Sequence, residues 1–241
     1  MEPAPTPPAS PLTGASTVDP MSKAQLQLTF MLVLTFSTGI VDAVGYLGYD
    51  KVFTGNMTGN VVILGMGLAG APGIPVLRPA LAFAGFLVGA VIAGRILKPT
   101  PKGEWSGRTT GVMGAVAIGC LALAGLVLLE DPTQNHLVGT ITTSVLALVM
   151  GMQAAAARKI GVADVTTVVV TSTIVGLASE SRLAGGTGDK WPRRVLAILG
   201  ILIGALVGAL TLQVNLWLGV LLTAVIIGAV TVAGHLTRHR A

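Results

Sequence analysis

The sequence predicts an all-α protein that spans a membrane as a bundle of helices. Three observations point to this fold class: 52% of the residues are hydrophobic, only 10% are charged, and the mean hydropathy is +0.81. Apolar runs of about twenty residues recur along the chain, which is enough for a helix to cross a hydrocarbon core of about 30 Å. The runs are continuously apolar rather than alternating, which favours helices over the strands of a barrel.

The chain is expected to consist of a short disordered tail, residues 1–22, and one transmembrane domain, residues 23–241. The tail is rich in Pro, Ala, Ser and Thr, so it is not expected to bury enough apolar surface to fold. It also lacks the basic start and apolar middle of a signal peptide. Eight apolar segments follow in order: 25–48, 53–70, 76–97, 110–129, 137–158, 164–180, 194–213 and 216–236.

The second and sixth segments differ from the others, because they are short and begin with Thr-, Asn- or Gly-rich sequence. If all eight segments crossed from a cytoplasmic N-terminus, Lys98 and Lys102 would lie outside and Glu130 inside, against the positive-inside tendency. If these two segments do not cross, nearly every basic cluster lies in the cytoplasm. We therefore predict about six full spans plus two short or re-entrant helices, with both termini cytoplasmic. Eight plain spans are the alternative.

The chain also shows a weak internal repeat, residues 25–130 against residues 137–236. The glycines that recur are Gly39 as Gly151, Gly85 and Gly89 as Gly200 and Gly204, and Gly119 as Gly228. Three spans in each half would make the second half inverted relative to the first. Inverted repeats with interrupted helices are a common plan among transporters.

The main functional signal is polar sequence at membrane depth. Asp42 lies within the first span and residues 54–60 open the second segment. Such groups are costly in hydrocarbon and usually face a cavity, a partner or a path. Asp42 is expected either to bind a proton or cation or to act as a buried structural acceptor. Two Thr-Gly-Asn triplets predict Asn56 and Asn60 on one helical face, where they either contact a solute or form a cap and an interhelical cluster.

The matching region of the second half contains Gln153, near the position of Asp42, and a Thr-rich stretch at 166–173. Thr side chains there either face a solute or bond back to their own helix. The candidate substrate-binding residues are Asp42, Tyr46, Asn56, Thr58, Asn60, Gln153, Thr167 and Thr171.

Other chemistry is not indicated. The three His residues lie at segment ends without metal-ligand spacing, and no nucleophile–base set is visible, so neither an enzyme nor a metal or other cofactor is expected. The net charge of +5 does not indicate nucleic-acid binding, because the basic residues flank apolar segments. Cys120 is expected to be a packing residue. Three tryptophans are expected to anchor at the membrane interface: Trp105, Trp191 and Trp217.

The chain resembles the YoaK-like family of bacterial multi-pass inner-membrane proteins, a domain-of-unknown-function family. The motifs are Gly39-x-x-Asp42-Ala43-x-Gly45-Tyr46-Leu47, then Phe53 and Met57-Thr58-Gly59-Asn60, echoed by Gly151-Met152-Gln153-Ala154, Arg158 and the Thr cluster. The echo departs from the family pattern at Ala154, where Asn is expected, and at Thr171-Ser172, where Thr-Gly is expected. The resemblance covers residues 25–236 and implies a bacterial inner-membrane location, but no substrate.

The sequence thus predicts a small-solute transporter or channel with a polar site near the bilayer midplane. The alternative is a non-transporting membrane assembly or sensor protein whose polar motif is structural. The expected partners are the lipid bilayer and a small solute, with homo-oligomerisation left open.

Overall fold

The computed structural model describes residues 22–132, 134–161 and 170–238, and over these ranges the chain forms α-helices and no strand. The helices are α1 (Lys23–Gly48), α2 (Met57–Leu68), α3 (Leu77–Leu97), α4 (Gly107–Leu129), α5 (His136–Ile160), α6 (Val170–Ser179), α7 (Trp191–Val214) and α8 (Leu216–Thr237). This confirms the predicted all-α bundle. The predicted disordered tail lies outside the described residues except for Ser22, whose side chain caps α1.

Six of the helices are long and apolar enough to cross a membrane: α1, α3, α4, α5, α7 and α8. The helix α2 has 12 residues, which is about 18 Å of helix and well short of a hydrocarbon core of about 30 Å. The described part of α6 has 10 residues. The division into six long and two short helices agrees with the prediction.

The ends of the long helices lie at two opposite faces of the bundle. The helices α1 and α7 run parallel, because Gly200 lies beside Leu32 and Gly208 lies beside Ile40. At the face where α1 begins, Gln27 Nε2 donates to Gly103 O across 2.6 Å, so the α3–α4 loop also lies there. The backbone N–H of Gly103 donates to Lys159 O, which places the end of α5 at the same face.

We call this the basic face. It contains the helix ends and loops that carry every described Lys and Arg except Lys51 and Arg78. Since α1 ends and α3 begins at the opposite face, the segment containing α2 leaves that face and returns to it. The end of α5 and the start of α7 both lie at the basic face, and the described part of α6 ends beside Arg194 of α7. The two short helices are therefore re-entrant from opposite faces.

Each helix of the first half makes the same helix–helix contacts as the corresponding helix of the second half. The helix α1 packs on α7 and α8, and α5 packs on the corresponding α3 and α4. The helix α2 packs on α3 as α6 packs on α7. The contacts of α4 with α8 and of α1 with α5 each join two corresponding helices. A duplicated four-helix unit would produce this pattern. The repeat bounds of 25–130 and 137–236 stay a prediction.

The same close helix crossing is built twice from glycine. In α1 and α7 the contacts are Leu32 with Gly200, Phe36 with Gly204, and Gly39 with Ile201; in α5 and α3 they are Ser144 with Gly85, Leu148 with Gly89, and Gly151 with Phe86. In each case the glycine Cα faces a backbone carbonyl of the other helix, so the backbones approach closely. The recurrence of Gly119 as Gly228 has no such counterpart, because Gly119 lies against Val149 on α5 and Gly228 near Ala117 on α4.

The side chain of Trp105 differs from the expectation of an interfacial anchor. It is only 9% exposed, it lies edge-on to Phe30 with ring centroids 5.5 Å apart, and its Nε1–H donates to Thr110 Oγ1. It packs inside the bundle because Gly234 of α8 leaves room for its ring. Trp191 is 57% exposed at the start of α7, a position that suits the predicted role.

Candidate functional site

The segment after α1 reverses direction and runs back along that helix. Asp50 and Lys51 have positive φ angles of 65° and 60°, a left-handed conformation that is uncommon outside glycine. The returning chain brings the carbonyl oxygen of Val52 against Gly45 of α1, where a Cβ atom would collide with it. The turn therefore carries the polar loop, residues 52–56, back to the level of Asp42.

Asp42 holds this loop with one carboxylate oxygen. Its Oδ1 accepts hydrogen bonds from the backbone N–H groups of Thr54, Gly55 and Asn56, at 3.1, 2.7 and 3.2 Å. The side chain is 7% exposed. Its Oδ2 has no hydrogen-bond partner among the described residues. Because Oδ1 is engaged three times by the loop, Oδ2 is the acceptor that Asp42 offers to its surroundings.

The two asparagines of the motif have separate local roles. Asn56 is the N-cap of α2 and its side chain accepts from the N–H of Gly59 at 3.2 Å. Asn60 is fully buried; its Oδ1 accepts from Phe53 N at 2.9 Å and its Nδ2 donates to Phe53 O at 2.5 Å. The prediction that both lie on one helical face is wrong, because α2 begins only after Asn56.

A cavity of about 640 Å³ lies beside Asp42, α2, α6 and α7, within the size range of sites for small organic ligands. The rings of Tyr46 and Phe53 stack on one another in its wall, with centroids 4.9 Å apart. The described residues that line it are Asp42, Tyr46, Phe53, Gly55, Asn56, Thr58, Gly59, Val62, Ile63, Val170, Thr171 and Ile201.

Five of the eight candidate residues from the sequence line this cavity: Asp42, Tyr46, Asn56, Thr58 and Thr171. Thr58 and Thr171 come from the two re-entrant helices, so both halves of the chain contribute to one site. Asn60 and Gln153 are not among the described lining residues, and the amide of Asn60 is bonded to the backbone of Phe53. Thr167 lies outside the described residues.

Gln153 lies behind the loop rather than in the cavity. It is fully buried on α5, and its Nε2 donates to Thr38 Oγ1 of α1 across 3.4 Å. The methyl group of Thr38 in turn lies against Gly55, so Gln153 is linked to the loop only through the packing of Thr38. The Oε1 atom of Gln153 is buried and has no hydrogen-bond partner within the described part of the chain.

Arg194, at the start of α7, is a buried cation that the sequence marks only as one more basic residue beside an apolar segment. Its side chain is 3% exposed. It donates to the carbonyl oxygen of Gly176 at 2.6 Å and to Glu180 Oε2 at 2.8 Å, and so attaches the end of α6 to α7. The sequence signal is weak, because a basic residue at a helix start usually indicates an interface anchor.

The groups that line the cavity are suited to binding a solute. The described residues contain no group of three or more His, Cys, Asp or Glu able to hold a metal ion. Cys120 is buried in α4 and is not among the residues that line the cavity. What the cavity offers is one carboxylate oxygen, two stacked aromatic rings, hydroxyl and amide groups, and apolar wall.

Comparisons with known proteins identify sequence relatives of this chain. The profile of a family described as "Protein of unknown function (DUF1275)" matches residues 30–233. The transmembrane protein YoaK of Bacillus subtilis (strain 168) is 30% identical over 160 residues, which is 66% of this chain and 69% of that protein. No solved structure matches the chain. With its six apolar helices long enough to span a membrane, the chain is a multi-pass membrane protein that belongs to the DUF1275 family.

Proposed function

We propose that the protein is a small-solute transporter or channel, without enzymatic activity, and that the cavity beside Asp42 is its solute site. One observation carries this proposal: Asp42, a carboxylate buried within a membrane span, lines a cavity, and its Oδ2 has no hydrogen-bond partner among the described residues. An ionisable group at membrane depth that is not neutralised by a partner is costly. Binding a solute gives that group a function.

The arrangement of helices supports the proposal. The two re-entrant helices enter from opposite faces, and each lies beside the cavity through Thr58 or Thr171. Interrupted helices of inverted repeats commonly form solute sites at the bilayer midplane, and rocking of one half against the other opens such a site to either side. The glycine-lined crossings of α1 with α7 and of α3 with α5 are surfaces over which the halves can move.

An assembly or sensor protein is the second candidate, and a specific observation favours it. The three N–H groups held by Asp42 and the ring that Asn60 closes on Phe53 show that much of the polar motif serves local structure. In such a protein the cavity has no path to water from either side.

We place the basic face in the cytoplasm of a bacterial cell, with the protein in the inner membrane. The support is the distribution of charge: of the described basic residues only Lys51 and Arg78 lie at the opposite face, as the positive-inside tendency requires. Both termini are then cytoplasmic.

Access of water to the cavity decides between the two candidates. Thr58→Cys and Thr171→Cys are made singly in a Cys120→Ala background and treated in membrane vesicles with a charged, water-soluble thiol reagent. Both positions should react. Val88→Cys on α3, 50% exposed on the outer surface of the bundle, is the matched control and should stay unlabelled in lipid. If neither Thr position reacts from either side of the membrane, the transporter proposal is wrong.

A further inference from the structure

We infer that the cavity binds an organic monocation, a quaternary ammonium or protonated amine with an apolar body. This inference rests on the proposed solute site and names its substrate class. It follows from the charge, the aromatic surface and the size of the cavity together.

The charge of the cavity is that of one carboxylate. Among the described residues that line it, Asp42 is the only charged one, and none is Lys, Arg or His. The N–H groups of the loop occupy Oδ1 of Asp42, and Oδ2 is available to a ligand. An anion would be repelled by this carboxylate. A neutral solute would leave the charge unbalanced at membrane depth, where that is costly.

The size of the cavity excludes a bare metal ion as its natural occupant. Divalent cations are held by about six to eight closely spaced oxygen ligands, usually with several carboxylates. Here one carboxylate borders about 640 Å³ of space, and the described residues hold no cluster of three or more metal-binding side chains. A volume of this size fits an organic molecule of roughly drug dimensions.

The aromatic wall provides the second recognition element. Tyr46 and Phe53 are stacked, with centroids 4.9 Å apart, and Tyr46 keeps 39% of its surface exposed. Faces of aromatic rings attract cations within about 6 Å, and quaternary ammonium ligands are commonly recognised in this way. Both rings border the same cavity as Asp42, so one ligand can contact the carboxylate and the ring surface.

The rest of the wall suits the apolar body of such a cation. Val62, Ile63, Val170 and Ile201 line the cavity together with the hydroxyls of Thr58 and Thr171. Apolar surface removed from water contributes about 25 cal/mol per Å², so an apolar substituent should strengthen binding. A small hydrophilic cation should therefore bind more weakly than one that carries a phenyl group.

The test measures binding to the full-length protein in nanodiscs of zwitterionic lipid. The probe is radiolabelled benzyltrimethylammonium. Its competitors are neopentylbenzene, which has the same shape without the charge, and phenylacetate, which has the opposite charge. We expect saturable binding that unlabelled cation displaces and that the neutral and anionic compounds do not. Equal displacement by neopentylbenzene, or no saturable binding at millimolar probe, would overturn the inference. This arm needs no variant.

The residue assignments are tested with conservative variants. Asp42→Asn keeps an oxygen for the loop N–H groups and removes the charge, and it should weaken binding about tenfold to a hundredfold. Tyr46→Leu keeps an apolar wall and should weaken it about two- to tenfold. Asp50→Asn, which changes a carboxylate outside the cavity, should bind as the unmodified protein does. Unchanged binding in both Asp42→Asn and Tyr46→Leu overturns the assignment.

Failure of this inference and failure of the proposed function give different results. Reactive cysteines at positions 58 and 171 together with no cation binding leave a water-accessible solute site of another substrate class. Unreactive cysteines at both positions contradict the solute site itself.

Discussion

Asn60 closes a ring of hydrogen bonds on the backbone of Phe53, accepting from its N–H at 2.9 Å and donating to its carbonyl oxygen. The amide of Asn60 is fully buried, seven residues along the chain from its partner. It thus acts as a clamp that joins the first turn of α2 to the loop before it. This clamp also sets the position of the Phe53 ring, which stacks on Tyr46 in the cavity wall.

Asn60→Ala should destabilise the protein by at least about 2 kcal/mol, because it leaves a donor and an acceptor of Phe53 without their partner. Asn56→Ala removes only an N-cap and should cost about 1 kcal/mol. Thr58→Ala, at an exposed position between them, is the control and should change stability little. Thermal unfolding in detergent measures all three. Equal stability of the Asn60 and Thr58 variants would show that the clamp contributes nothing.

Asp42 combines two functions that substitution can separate. Asp42→Ala removes the acceptor of three N–H groups, two of them in buried hydrogen bonds, and should lower the folded yield and the unfolding temperature strongly, since each unsatisfied buried donor costs about 1–3 kcal/mol. Asp42→Asn keeps an acceptor oxygen and should fold close to normally. The readout is monodisperse elution from size exclusion, followed by thermal unfolding. Similar losses in both variants would mean that the charge itself, rather than the acceptor, holds the loop.

The paired glycine crossings should respond alike to substitution. A Cβ at Gly89 would collide with the carbonyl oxygen of Leu148, and one at Gly204 with that of Phe36. Gly89→Ala and Gly204→Ala should each cost about 1–3 kcal/mol through overpacking. Gly94→Ala, also on α3 but facing open space, should be neutral or slightly stabilising. Unfolding temperatures compare the three. A neutral Gly89→Ala beside a harmful Gly204→Ala would argue against equivalent crossings.

Much of the fold could be predicted from the sequence, because hydropathy and charge report directly on the membrane. Apolar length marks the six spans, and for a cytoplasmic N-terminus the positions of Lys98 and Glu130 predict that the second segment does not cross. The orientation of individual side chains is less accessible. The spacing of Asn56 and Asn60 predicts a shared face only if the helix includes both, and the helix start depends on a loop that Asp42 holds from another element.

The residues of the candidate site likewise divide into those that the sequence indicates and those that it does not. Asp42, Tyr46 and Thr58 could be found because polar groups stand out in apolar sequence. Arg194 could not, since a cation at a helix start usually reaches the interface, whereas here the carbonyl of Gly176 draws it inward. Phe53 belongs to the motif of the family resemblance but not to the candidate binding residues, because its role in the cavity wall follows only from the position of its ring beside Tyr46.

The orientation of the basic face can be read from paired loop positions. Lys102→Cys lies in the α3–α4 loop at the basic face and Gln134→Cys in the α4–α5 loop at the opposite face, and both positions are exposed. In cells whose outer membrane admits an impermeant thiol reagent, only Gln134→Cys should be labelled. Lys102→Cys should react after the inner membrane is opened. Labelling of Lys102→Cys in intact cells would invert the proposed topology.

The attachment of α6 to α7 should depend on Arg194 more than on the exposed acid that it contacts. Arg194 donates to a backbone carbonyl of α6 as well as to Glu180, whose side chain is 56% exposed; Glu180→Gln keeps an acceptor oxygen for the guanidinium. Arg194→Ala should therefore speed amide hydrogen exchange across α6, whereas Glu180→Gln should change it little. Exchange followed by mass spectrometry measures both, with α2 as an internal reference. Because Thr171 of α6 lines the cavity, a cysteine at position 171 should be labelled faster in the Arg194→Ala variant than in a protein that retains Arg194. Equal exchange in the two variants would place the anchor of α6 elsewhere.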